Sequence, residues 1–301
     1  RPMGASPAAG SCWTEDQVAP GDTSDAAAGS SSPVSRAHSG LAQKCTSRKY
    51  SSPRSAVAVD MTFCRAQSTR VSTRRLGAAA ARADVRLIYQ TAAYAPDDEI
   101  GQYNYDRVLA TERALKQGGA RTTIFRPVLF MDNTLTKWAR NDIIENDEFA
   151  YPHKEGLQAN WICLDDVAKF MIAALERDDL IGRAMVIGGP EVLTPQRIAD
   201  TLSGHLGRSI KPKTLTPKEF AIRMADIFEG VSDIGREDYI AAMQGFYEYN
   251  NENKDNLNPF KVDMEDVLEE IPIKLTTFSE WVKQQDWVPI DDDDITTPSG
   301  G

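Results

Sequence analysis

Tyr103 and Arg107 have types and a spacing that could do chemistry. They stand four positions apart in QYNYDRVLATERAL (102–115), so on a helix they share a face. A cation beside a phenol stabilises the phenolate and brings its proton within reach of neutral pH. Such a pair suits acid–base work by the phenol. Arginine supplies the charge and can bond hydroxyls, but it stays protonated and cannot relay the proton itself. The alternative is that both residues pack at the start of a helix. Nothing in the sequence supports a proton-transfer geometry, so packing is the reading favoured.

Other reactive side chains read as structural. Glu112 lies between Leu109 and Leu115 on the inward face of the same helix. A buried carboxylate needs a partner, and Arg126, at the end of the next strand, is the one expected. His153 and His205 have no second ligand at metal spacing. Cys12, Cys45, Cys64 and Cys163 fit no CxxC or Cys/His pattern, so no metal is expected. Cys163 sits in an apolar stretch and reads as a core thiol. Unpatterned cysteines suit a reduced, cytoplasmic protein.

The elements that would position these residues begin near residue 76. Segment 1–75 is rich in Ser, Ala, Arg, Gly and Pro and carries no period of two or 3.6. Only SAVAVDMTF (55–63) reads as a strand there, and the composition otherwise predicts disorder. From Leu76 the pattern is that of a folded chain. LGAAAARA is a short helix and VRLIYQTAAY (85–94) a strand. A helix over 97–119 is stopped by Gly118–Gly119, and RTTIFRPVLF (121–130) is a strand ending near Pro127. DDVAKFMIAALER (165–177) is an amphipathic helix capped by Asp165 or Asp166, and AMVIGGP (184–190) is a third strand. Thr194 and Thr216 each precede Pro and open helices. Two more helices are expected near 236–250 and 277–286, and Asp291–Asp294 reads as a solvated tail.

Strands alternating with helices predict an α/β fold, a Rossmann-like parallel sheet with helices on both faces. A smaller, mostly helical lobe follows. The expected division is 1–75, then 76–190 as the sheet domain, 191–290 as the helical lobe and 291–301 as an acidic tail. Net charge is −10, divided as +6 over residues 1–83 and −16 over 84–301. The acidic body disfavours nucleic acid, whose phosphates it would repel. No run of about 18 apolar residues suggests a membrane span. No charged segment followed by an apolar one opens the chain, so no secretory signal is expected. Residue 1 is Arg, so a start upstream is expected.

YQTAAY, YDRVLATERAL, GGARTTIFRPVLFMDN, WICLDDVAKFMIAALE, GGPEVLTPQRIADTLSGHLGR and IPIKLTTFSEWVKQQDW follow one another over about residues 76–287. In order and spacing they resemble the NmrA-like branch of atypical short-chain dehydrogenases. The resemblance implies NADP or NAD as cofactor, and either reduction of a quinone-like or enone acceptor or a redox-sensing role without turnover. It places Gln90, Thr91 and Ala92, and Pro127, Val128 and Phe130, against the cofactor. Asn133 and Trp161 resemble substrate-pocket positions. For each of these, a turn or core role stands as the alternative. In catalysts of this kind a Tyr stands four residues before a Lys, where this chain has Arg107.

The family also opens on a strand, a Gly-rich turn and a helix that together hold the pyrophosphate. Residues 1–75 contain no such turn, because neither PMGASPAAGS nor APGDTSDAAAGS follows a strand. That segment reads like a coding sequence translated out of frame, restored near Leu76; an in-frame disordered extension is the competing account. Loss of the opening strands would bare one edge of the sheet. Three functions remain open at this point. One is an NAD(P)-dependent oxidoreductase acting on a small molecule. Another is an NADP(H)-sensing regulator with a protein partner, and the last is a homologue that has lost cofactor binding.

Overall fold

The computed structural model describes residues 56–60, 68–91, 94, 96–227, 234–252 and 258–290. All of them lie in the second of the chain's two units, Arg1–Lys44 and Cys45–Gly301. Four parallel strands form the main sheet: β1 (Ala56–Asp60), β2 (Arg86–Gln90), β3 (Thr122–Pro127) and, further along the chain, β7 (Ala184–Ile187). They lie in the order β1-β2-β3-β7. Val59 stands beside Tyr89, Tyr89 beside Ile124, and Ile124 beside Ala184.

Apolar residues on both strand faces demand cover on both sides. Leu87, Tyr89 and Ile124 point to one face, where Ala80 and Leu115 meet them. These come from α1 (Ser68–Arg82) and α2 (Tyr103–Gln117). Ile88, Phe125, Met185 and Ile187 point to the other, against Val167 and Phe170 of α4 (Leu164–Ala173) and Met264 of α8 (Met264–Glu270). The two helices of the first face cross closely at glycines. A Cβ at Gly77 would come within 2.4 Å of the Leu115 carbonyl oxygen, and one at Gly118 within 2.6 Å of the Ala78 nitrogen.

Beyond the sheet, β4 (Leu129–Phe130) pairs with β6 (Trp161–Ile162), and β5 (Glu148–Tyr151) with β8 (Lys211–Thr214), all parallel. Around them lie α3 (Lys137–Glu145), α5 (Pro195–Leu206), α6 (Pro217–Ile227), α7 (Arg236–Glu252) and α9 (Phe278–Val282). Their shared core is aromatic: Tyr151 meets Trp138, Trp161, Phe220 and Tyr247, and Phe260 packs on Phe246.

Several expected boundaries shift for local reasons. The first helix begins at Ser68 and runs through Leu76, and the strand expected at 55–63 forms β1. The helix expected from 97 starts at Tyr103, because Gly101 takes a φ of +77° and Gln102 caps the helix through its side chain. The strand expected over 121–130 divides, and its end leaves the main sheet to pair with β6. Neither Asp165 nor Asp166 caps α4. Asp132 accepts from the Leu164 N–H at 3.0 Å, while Asp166 is buried and accepts from Thr276 and Lys169. Thr194 does cap α5, with Pro195 at its first position. The run Asp291–Asp294 and most of segment 1–75 lie outside the described residues. No helix among the described residues is long and apolar enough to cross a membrane.

Candidate functional site

Ligands on open parallel sheets sit beyond the carboxyl ends of the strands. Three such ends meet here. The Thr91 N–H donates to the Phe125 carbonyl at 2.9 Å, and the Val128 N–H to the Ile187 carbonyl at 3.1 Å. Gln90–Thr91, Pro127–Val128 and Gly188–Gly189 therefore share one edge. Gly188 and Gly189 are required by close approach to β6. A Cβ on Gly189 would fall 1.8 Å from the Trp161 carbonyl oxygen, and one on Gly188 2.5 Å from the Asn160 Cβ.

Gln90, Thr91, Pro127 and Val128 are all buried at this edge. The Thr91 hydroxyl donates to the Phe125 carbonyl at 3.3 Å. The Val128 N–H is committed to β7, so a ligand would meet other atoms of that residue. Ala92 lies outside the described residues. Phe130 turns into the core beside Ile162. Asn133, half-buried on the turn Met131–Leu135, donates from Nδ2 to Tyr151 Oη at 3.3 Å. Trp161 is buried edge-on against Tyr151 and Phe149. Tyr151 is also hydrogen-bonded to Tyr247, and burial pushes its phenol up to about 12.

Tyr103 is 45% exposed at the start of α2, outside the packed stripe. Arg107 is half-buried, and its charge acts on the phenol of Tyr239 in α7. The inward tyrosine is Tyr105. It is i−4 to Leu109 and i−7 to Glu112, the buried stripe of the helix. That periodicity is legible in the sequence and would have separated the two tyrosines. Tyr105 Oη donates to Asn250 Oδ1 at 2.6 Å, and the Tyr94 ring meets it edge-on at 5.5 Å. Burial raises the Tyr105 phenol far above its ordinary value.

The expected Glu112–Arg126 pair forms under the same edge. Arg126 Nε donates to Glu112 Oε1 at 2.9 Å and Nη2 to Oε2 at 2.8 Å. Nη1 donates to Asp97 Oδ1 at 3.0 Å, a partner the sequence reading did not single out. Burial works against the Arg126 charge, but the bonds to Glu112 and Asp97 outweigh it and hold the guanidinium above its usual value. Burial raises the nearby Tyr94 phenol, with Arg126 opposing the rise and Asp97 adding to it.

His153 is 2% exposed and lies among Tyr151, Phe260, Tyr247 and Trp161, with ring centroids 4.6 to 6.0 Å away. Its Nε2 has no hydrogen-bond partner, and burial pushes the imidazole down to about 3. Among the described residues no three His, Cys, Asp or Glu side chains gather as a metal site. Cys163 is a buried thiol, pushed up to about 11 by burial.

Agroclavine dehydrogenase of Claviceps purpurea is 32% identical over 111 residues, 36% of this chain and 38% of that protein. A (4-alkanoyl-5-oxo-2,5-dihydrofuran-3-yl)methyl phosphate reductase of Streptomyces griseus is 33% identical over 145 residues, 46% and 48% of the two chains. The chain thus spans less than half the length of these two curated relatives. The Escherichia coli NADPH-dependent quinone oxidoreductase solved with NADPH is similar in fold, with a TM-score of 0.58, 17% identity and 75% of each chain covered. The model of the NmrA-like family matches residues 41–282, starting ahead of Leu76, where the resemblance was expected to begin. With most of its length matched, the chain belongs to the NmrA-like family.

Proposed function

We propose that the chain is an NAD(P)(H)-dependent oxidoreductase that reduces a carbonyl or quinone-like small molecule. The observation that carries this reading is the shared edge of Gln90–Thr91, Pro127–Val128 and Gly188–Gly189, in a chain of the NmrA-like family. The residues fit the nicotinamide end of a dinucleotide, since the strand ends are parallel, buried and tipped by the polar Gln90 and Thr91. No GxxGxxG or GxGxxG occurs in the 301 residues, so the fit does not extend to a Gly-rich pyrophosphate cradle. A bound dihydronicotinamide would supply the hydride. Gln90, Thr91, Pro127 and Val128 would hold or wall its ring. Asn133 would face the acceptor, with Trp161 backing that wall from the core. Burial on this scale excludes water and fixes orientation, which carries most of the rate when no strong acid is present.

A second reading is an NADP(H)-sensing regulator without turnover. The exposure of Tyr103 favours it, because α2 then presents no enclosed phenol–cation pair with Arg107. The discriminating experiment follows the loss of nicotinamide absorbance from NADPH with menadione as acceptor, for the wild type and Tyr103→Phe. Steady turnover supports the reductase, and equal turnover in Tyr103→Phe removes the Tyr103 hydroxyl from the chemistry. Saturable NADPH binding without turnover supports the sensor.

A further inference from the structure

We propose that Arg126 is a binding subsite for an oxyanion, a carboxylate or phosphate ester carried by the small molecule, and that Asp97 occupies it in the ligand-free chain. The inference deepens the reductase reading and rests on it only for placing a small molecule at the strand ends.

Arg126 lies near the carboxyl end of β3, its side chain 6% exposed. Glu112, with a side chain 2% exposed, grips two of its nitrogens. That grip fixes the plane of the guanidinium and aims Nη1 at the loop after β2. A planar fork held in this way is suited to carboxylate and phosphate oxygens. A carboxylate oxygen already sits on Nη1, that of Asp97 at 3.0 Å.

The two acidic partners differ in kind. Glu112 is enclosed, and removing it would strand a buried charge. Asp97 has a side chain 93% exposed on a loop. An ion pair with so exposed a member contributes little, and its carboxylate regains full hydration when released. A ligand oxyanion can therefore take its place on Nη1, with the released carboxylate turned to solvent. Asp98 and Glu99 follow on the same loop and oppose an anion, but Glu99 is drawn away by Arg113 at 2.6 Å.

The test uses the full chain and thermal unfolding titrated with inorganic phosphate, then with acetate, at ionic strength held constant with chloride. A ligand that binds the folded state raises the melting temperature saturably. Asp97→Asn removes the competing carboxylate and should tighten the apparent Kd by about two- to fivefold. The paired change Glu112→Gln with Arg126→Met, which leaves no stranded charge, should abolish the effect. Arg126→Lys, whose single ammonium is engaged by Glu112, should do likewise if the pair does not fold. Preference for phosphate or for acetate in Asp97→Asn assigns the ester or the carboxylate. Equal affinity in the wild type and Asp97→Asn, or affinity surviving the loss of the guanidinium, overturns the proposal. NADPH titrated into the same samples separates the two ideas. A shift with NADPH but none with either oxyanion sinks the subsite alone, and the reverse sinks the cofactor reading alone.

Discussion

The Tyr105 hydroxyl donates to Asn250 Oδ1 at 2.6 Å and fastens α2 to α7 inside the core. Both residues are buried, and the Asn250 amide is also held through Nδ2 by the Phe246 carbonyl at 2.7 Å. Tyr105→Phe keeps the ring packing and leaves Asn250 Oδ1 unbonded. Urea unfolding should show a loss of roughly 1–3 kcal/mol, the usual penalty for a stranded buried acceptor. Tyr103→Phe, at the exposed position, should stay within about 0.5 kcal/mol of the wild type.

Glu112 and Arg126 should behave as a buried pair. Removing one partner, as in Glu112→Ala, is expected to cost roughly 3–5 kcal/mol. The paired change Glu112→Gln with Arg126→Met should cost clearly less than the sum of its single changes. A double-mutant cycle from urea melts checks this, and strict additivity would contradict the bidentate geometry.

Glycines should divide by their surroundings. Gly189→Ala puts a methyl on the Trp161 carbonyl and Gly77→Ala puts one on the Leu115 carbonyl, both through backbone that cannot swing aside. Each should lower stability by more than about 2 kcal/mol, beyond the range of ordinary surface changes. Gly204, within α5, has nothing within 4 Å of a built Cβ. Gly204→Ala should raise stability by about 0.5–1 kcal/mol, because alanine loses less conformational freedom in a helix. Thermal melts of the three variants give the comparison.

His153 should make the fold acid-sensitive. Burial pushes its folded pKa down to about 3, against about 6.5 in an unfolded chain. Between those values the unfolded state binds the extra proton, so stability rises with pH there and falls as pH drops. The slope from this residue approaches about 1.4 kcal/mol per pH unit well inside the window. His153→Phe should flatten that part of the profile in urea melts between pH 6.5 and 4. An unchanged slope would place the acid sensitivity elsewhere.

The legibility of this fold follows its periodicities. Apolar runs such as RLIYQ and TTIFR announce buried parallel strands, and the caps Thr194 and Thr216 mark helix starts through a local bond. The Glu112–Arg126 pair was readable because a carboxylate in an apolar stripe needs a cation near it. Asp97 was not, since its role depends on how the loop after β2 folds back over β3. The four-residue β8 escaped notice because KPKT is mostly exposed and carries no apolar alternation. His153 looked isolated in sequence and became a core residue once Tyr247 and Phe260 from far along the chain joined Tyr151 and Trp161 around it. Tyr103 drew attention through its spacing to Arg107, while the stripe through Tyr105, Leu109 and Glu112 decided which tyrosine turned inward.

Thermal unfolding with and without millimolar NADPH tests most directly whether the strand ends hold a nicotinamide dinucleotide. One cooperative transition should move upward and saturate with NADPH, as mass action requires for a ligand bound only by the folded chain. A cooperative transition that does not move at any NADPH concentration would contradict it, leaving a folded member of the family without the cofactor site.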